Sequence, residues 1–175
     1  MNHSIWPAAR RLATFLLGAW LASGAIAQPD SRPFKAKLAL METVTFYGGP
    51  PCFGIASVQA VGNATHLGTV TARSHDCINP QGPNAPNSFS FSSIGTGPAG
   101  LVFTAANGDA VYASYSGTAN AQASGPHLIA GQFIITGGTG RFLGATGGGT
   151  LTGFEDLSQI VTGRGEIEVI GVIVF

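Results

Sequence analysis

The segment Thr136-Gly137-Gly138-Thr139-Gly140-Arg141-Phe142-Leu143-Gly144-Ala145-Thr146-Gly147-Gly148-Gly149 decides how this chain folds. Half of it is glycine, and it follows directly on a strand-like stretch at 128–136. Glycine accepts positive φ and allows close backbone approach, so such a segment can turn the chain, bulge it and return it to a sheet within a few residues. It reads as a sharp corner between two β-strands, with Gly137, Gly138 and Gly140 as its turn residues. It specifies architecture and names no chemistry.

Outward from that corner there is almost no sustained helical periodicity, and strand signals recur about every ten residues. Phe89, Phe91 and Ser93 alternate with Ser88, Ser90 and Ser92, which separates an apolar from a polar face. Leu101, Phe103 and Ala105 continue the alternation. Asn107-Gly108 is the pair favoured in a two-residue type I′ hairpin and leads into 111–116. Further strands are expected at 34–46, 53–61, 65–75, 128–136, 150–154 and 160–174, with a proline-rich loop at 79–87. Eight or nine antiparallel strands with short turns can close into a barrel or stack as a sandwich. Closure suits a chain with few charges to guard an open edge.

The first 27 residues have the three parts of a secretory signal. Arg10 and Arg11 supply the positive start, 12–22 the apolar stretch, and Ala25-Ile26-Ala27 a small-residue cleavage site before Gln28. The apolar stretch is short for a bilayer span, so cleavage between Ala27 and Gln28 is expected in preference to an uncleaved anchor. That leaves residues 28–175 as a single β-barrel domain, long enough for one core. It holds six Lys and Arg residues against eight acids, a net charge of −2, with no basic stripe. Nucleic acid binding by phosphate neutralisation is therefore not expected.

Cys52 and Cys77 are the only cysteines, and an exported protein meets an oxidising compartment where a disulfide persists. Two strand-like stretches lie between them, joined at Gly62-Asn63-Ala64, so a hairpin would return Cys77 close to Cys52. A metal site would need more ligands than two cysteines and a histidine; neither a metal nor a cofactor is expected.

The residues Thr65-His66-Leu67-Gly68, the hairpin 105–109, and Ile135-Thr136-Gly137-Gly138-Thr139-Gly140-Arg141-Phe142 with 144–147 resemble a group of small exported bacterial proteins. That group is similar in turn to the allene oxide cyclase and dirigent barrel superfamily, where a glycine-rich turn precedes an aromatic residue. The resemblance covers most of 28–175 in order of elements. It implies an all-β fold, a single eight-stranded antiparallel β-barrel with an apolar lumen, often assembled as a trimer. Plant members bind apolar or phenolic intermediates and steer their cyclisation or coupling. The resemblance assigns no catalytic residue to a position in this chain, and fold alone does not carry an activity.

Tests for enzyme signatures mostly fail. In the glycine run, Leu143 stands where the third glycine of a dinucleotide fingerprint would fall, and a phosphate loop lacks its lysine. No Gly-x-Ser-x-Gly elbow occurs. Three single residues remain as candidates for a lumen or ligand site. Glu42 stands alone among apolar neighbours between Leu38 and Phe46, as a lumen acid would, or points outward on an alternating strand. His66, just after a turn, could serve as a general base or bind a ligand at a barrel mouth, or satisfy turn backbone. Arg141 could hold a carboxylate or phosphate, satisfy carbonyls left open by the corner, or pair with Glu155 or Asp156. Glu166 and Glu168 share a strand face as a carboxylate pair or a solvated edge.

Both faces of the last strand are apolar, since Ile167, Val169 and Ile173 occupy one and Ile170, Val172 and Val174 the other. One face can be core; the other calls for another subunit, a loop or lipid. An outer-membrane barrel would need two aromatic girdles, and beyond residue 27 there are three Tyr and no Trp. A homo-oligomer contact is therefore the expectation. The resulting reading is an exported binding or structural module holding a small apolar ligand, with a cyclase-like or dirigent-like enzyme as its rival and an outer-membrane barrel third.

Overall fold

A computed structural model describes residues 30–82, 87–98, 100–159 and 161–175. The expected signal peptide and its Ala27–Gln28 junction lie outside the described residues. Among the described residues nine strands run in chain order: β1 (Ser31–Phe46), β2 (Gly54–Ala64), β3 (Gly68–Pro80), β4 (Phe89–Ser93), β5 (Leu101–Ala105), β6 (Ala110–Asn120), β7 (His127–Gly138), β8 (Thr146–Gln159) and β9 (Thr162–Val174). All pairings are antiparallel, and β1 pairs with both β2 and β9, which closes the sheet.

Nine strands make eight staves because β4 and β5 are two halves of one. β4 pairs with 76–80 of β3 and 116–119 of β6, while β5 pairs with 70–73 and 110–113 of the same two strands. The fold is an eight-stranded antiparallel β-barrel. β1 shows why the sequence closes this way. Phe34, Ala36, Leu38, Glu42 and Val44 are buried, while Lys35, Lys37, Ala39, Met41 and Thr43 between them are exposed, the strict period-two alternation of a barrel wall.

Glycines permit the tight closure. Gly117 and Gly131 face each other across β6 and β7, and Gly149 and Gly171 across β8 and β9. A Cβ on Gly149 would strike the backbone carbonyl of Ile170, and one on Gly117 would meet the ring of Phe91. The glycine-rich segment is thus less corner than the sequence suggests, since Gly147, Gly148 and Gly149 belong to β8 and Gly137 and Gly138 to β7. The turn itself is a single 3-10 turn at Gly140–Phe142, with Gly140 at φ 57° and Gly144 at φ 75°. Phe142 is fully buried and its ring lies 4.8 Å from that of Phe175, so the two fill one end of the barrel. Phe34 adds to that packing against Phe103 and Phe133, with ring centroids 5.9 Å apart in each case.

Three local expectations are corrected. The β2–β3 turn lies at 65–67, three residues beyond Gly62-Asn63-Ala64, because Ala64 pairs with Gly68 and Gly62 stays in the ladder against the Lys37 carbonyl. The Asn107-Gly108 hairpin is not type I′. Only Gly108 has positive φ, and the Gly108 amide donates to the Ala105 carbonyl, the type I turn with a left-handed glycine of a longer loop. The expected loop at 79–87 starts later, since β3 continues to Pro80, which pairs with Phe89.

Cys52 and Cys77 form a disulfide, with Cα atoms 5.2 Å apart. With the hairpin centred on His66, the residue opposite Cys77 is Ile55. The bridge therefore reaches across from the loop before β2 and ties it to β3 at the end of the barrel away from Phe142.

Candidate functional site

The lumen is apolar along most of its length. Leu38, Phe91, Phe103, Ile129, Leu151 and Val169 line a cavity of about 90 Å³. At the disulfide end it continues into a mouth of about 460 Å³ flanked by Val44, Phe53, Phe89, His127 and Leu157, and Glu42, Ile78 and Phe89 line both spaces.

At that junction the wall turns acidic. Glu42 from β1, Asp76 from β3 and Glu155 from β8 all line the cavity, at 8%, 6% and 4% exposure. Each occupies an inward position by strand parity: Asp76 follows Val70, Ala72 and Ser74 on one face of β3, and Glu155 follows Leu151 and Gly153 on β8. Among the described residues no Lys, Arg or His lines the inner cavity, and every Lys and Arg is exposed. Three carboxyls therefore converge without a countercharge.

Asp76 is held by hydroxyls. Tyr115, inward on β6, donates to it at 2.6 Å from either carboxylate oxygen, and Ser74 donates at 3.0 Å. Burial pushes the Asp76 carboxyl up to about 6 even though the two hydroxyls pull it back. Burial also raises the Tyr115 phenol, with the Asp76 charge adding to it, so the phenol stays protonated and remains a donor.

Glu42 and Glu155 face each other across β9, whose Gly163 keeps the space open: a Cβ there would meet Glu155 Oε1 and Glu42 Cγ. Burial raises both carboxyls, and for Glu155 the neighbouring Glu42 charge raises it further. The two therefore titrate as a pair, and the proton they retain belongs to the pair and not to either glutamate. Neither Glu42 Oε1 nor Glu155 Oε1 receives a hydrogen bond from any other described group.

The three residues singled out from the sequence are not brought together. Glu42 lies in the lumen. His66 sits in the β2–β3 turn at the other end, at φ 66°, with Nε2 3.0 Å from the Pro33 carbonyl and its ring 5.4 Å from that of Phe175. Arg141 lies outside the same end, where its Nε is 3.2 Å from Asp109 Oδ2 and its guanidinium covers the Phe142 ring. Its partner is thus Asp109 in place of Glu155 or Asp156. Glu166 and Glu168 are exposed on the outer face of β9.

Asp76, Tyr115 and Glu155 form most of the polar cluster and were not singled out from the sequence. For Asp76 and Tyr115 the signal exists in strand parity, since each shares a face with small and apolar residues. For Glu155 the pattern misleads, because the adjacent Phe154 is the outward, exposed residue. Among the described residues no group of three or more His, Cys, Asp or Glu is placed to hold a metal ion, and no helix is long and apolar enough to cross a membrane. Compared with models of known protein families and with curated proteins, the chain matches none.

Proposed function

We propose that this protein is an exported binding module that holds a small, mainly apolar molecule in its barrel lumen. One observation carries the reading: a cavity walled by aromatic and aliphatic side chains opens through a mouth at which unpartnered carboxyl oxygens wait. Ligand sites are commonly apolar concavities with a few convergent polar groups. The disulfide supports an oxidising compartment, and the inward rings of Phe91 and Phe103 support an apolar-lumen barrel over an outer-membrane one with a polar interior. Self-association belongs to the same reading, with Ile134 on β7 and Ile170 and Val172 on β9 as exposed apolar surface on either side of Gly148 in β8.

A second reading, an allene-oxide-cyclase-like or dirigent-like enzyme, is favoured by the convergence of Glu42, Glu155, Asp76 and Tyr115. A carboxyl pair sharing one proton can act as acid and base on a molecule lodged beside it.

Native mass spectrometry of protein purified gently from the exported fraction tests the binding reading. A small-molecule adduct lost on partial unfolding is expected. A protein that carries no adduct and takes up none from a panel of small apolar compounds would contradict it.

A further inference from the structure

We infer that the occupant of the lumen carries a positively charged nitrogen: it is a small apolar amine whose ammonium group sits between Glu42 and Glu155 while its hydrocarbon body lies along the apolar wall. This inference rests on the reading of the lumen as a binding pocket and names the chemical class that fits it.

The argument begins with the balance of donors and acceptors. Glu42 and Glu155 are more than nine-tenths buried, both line the cavity, and the Oε1 atom of each lacks a donor. A buried carboxyl without a donor is costly, and a buried carboxylate without a countercharge more so. Within the protein the pair can relieve this only by retaining a proton between them. Asp76 offers no relief, because it is a third acid, and Tyr115 and Ser74 are already committed to it.

An ammonium group supplies what is missing. It brings a positive charge and three donors, enough to reach both orphan oxygens. An anion would meet three acids, with every Lys and Arg among the described residues exposed to solvent and none in the lumen. A neutral hydrocarbon would leave the two oxygens unsatisfied, and a neutral alcohol would bring a single donor and no charge. A bare metal ion is disfavoured by the absence, among the described residues, of three ligating side chains close enough to hold one. The rest of the cavity sets the body of the ligand, since Leu38, Phe91, Phe103, Ile129 and Leu151 offer only apolar contact and about 90 Å³ limits it to a ring or short chain.

Charge balance adds a signature that simple burial does not have. The empty pair holds a shared proton; an arriving ammonium takes over its role, so binding ejects a proton to solvent. The groups facing this site are Glu42, Glu155, Asp76 and Tyr115, with His127, the cross-strand partner of Glu155, at the mouth and its Nε2 2.7 Å from the Asn87 carbonyl; raised Tyr115 does not ionise in the neutral range.

Isothermal calorimetry on the full exported chain with benzylamine, benzyl alcohol and benzoate tests this. Benzylamine is expected to bind at least tenfold more tightly than benzyl alcohol, benzoate not at all. Titrations at pH 7 in buffers of different ionisation enthalpy should show up to one proton released per benzylamine and none for the alcohol. The double variant E42Q/E155Q should narrow the amine–alcohol difference to less than threefold, while R141A, remote from the lumen, should leave it unchanged. Equal binding of amine and alcohol, with no proton release, would overturn the cationic ligand and leave the binding lumen standing. No binding by any of the three, in a protein whose far-UV spectrum shows the barrel intact, would overturn both.

Discussion

The phenol of Tyr115 on β6 donates to the Asp76 carboxylate on β3, 2.6 Å from each of its oxygens, and so links the two strands that flank the split stave over its inner face. Removing that donor while keeping the ring isolates the hydrogen bond from the packing. Tyr115→Phe is expected to destabilise the barrel by about 1–3 kcal/mol, the cost of leaving a buried acceptor short of a donor. Urea denaturation of the variant and parent checks it. Asp76 in the variant should titrate higher still, as followed by carboxyl carbon NMR shifts.

Three raised carboxyls give the stability a definite pH slope. In the folded state Glu42, Asp76 and Glu155 all bind protons more tightly than in the unfolded chain. Stability from each is fully present below the unfolded value near 4 and lost as pH rises through the folded value. The melting temperature should therefore be highest near pH 4 and fall as pH rises to 9. Replacing both glutamates by glutamine should flatten most of that slope. A melting temperature that rises between pH 5 and 8 would show that the cluster is ionised without cost.

Glu42 was legible in the sequence, and its neighbours were not, for a physical reason. Along β1 one parity reads Phe34, Ala36, Leu38, Leu40, Glu42, Val44, so an acid stands out in an otherwise apolar row. On β3 the inward row is Val70, Ala72, Ser74, Asp76, Ile78, where two successive polar residues break the contrast. On β8 the glycines of 147–149 and the outward Phe154 hide which parity faces the lumen. The barrel itself was readable because alternation and glycine turns are local. The site was not, because it arises from long-range strand register that brings 42, 76, 115 and 155 to one level.

The disulfide closes a 25-residue separation, which the chain-entropy account values at roughly 3 kcal/mol. The double variant C52S/C77S is expected to lose about that much in chemical denaturation while keeping its β-sheet spectrum, because the bridge ties a loop to β3 outside the ladder. A loss of the folded state altogether would mean that the mouth loop is part of the core.

Two glycines separate steric need from turn need. Gly149 stands where a Cβ would strike the Ile170 carbonyl, whereas Gly108 has open space and only a positive φ of 89°. Gly149→Ala should cost more than about 2 kcal/mol by forcing β8 and β9 apart. Gly108→Asn should cost less than about 1 kcal/mol, since asparagine tolerates that backbone region. Melting curves of the two variants side by side check the ranking.

The central claim is that a ligand enters the lumen, and methyl NMR of protein labelled at Ile, Leu and Val tests it most directly. Leu38, Ile129, Leu151 and Val169 line the cavity, while Ile134 and Val172 lie on the outside of the same wall. On titration with benzylamine the four interior residues are predicted to shift in a saturable manner, with the two exterior residues unmoved. Shifts confined to Ile134 and Val172, or no saturable shift in any methyl, would contradict it.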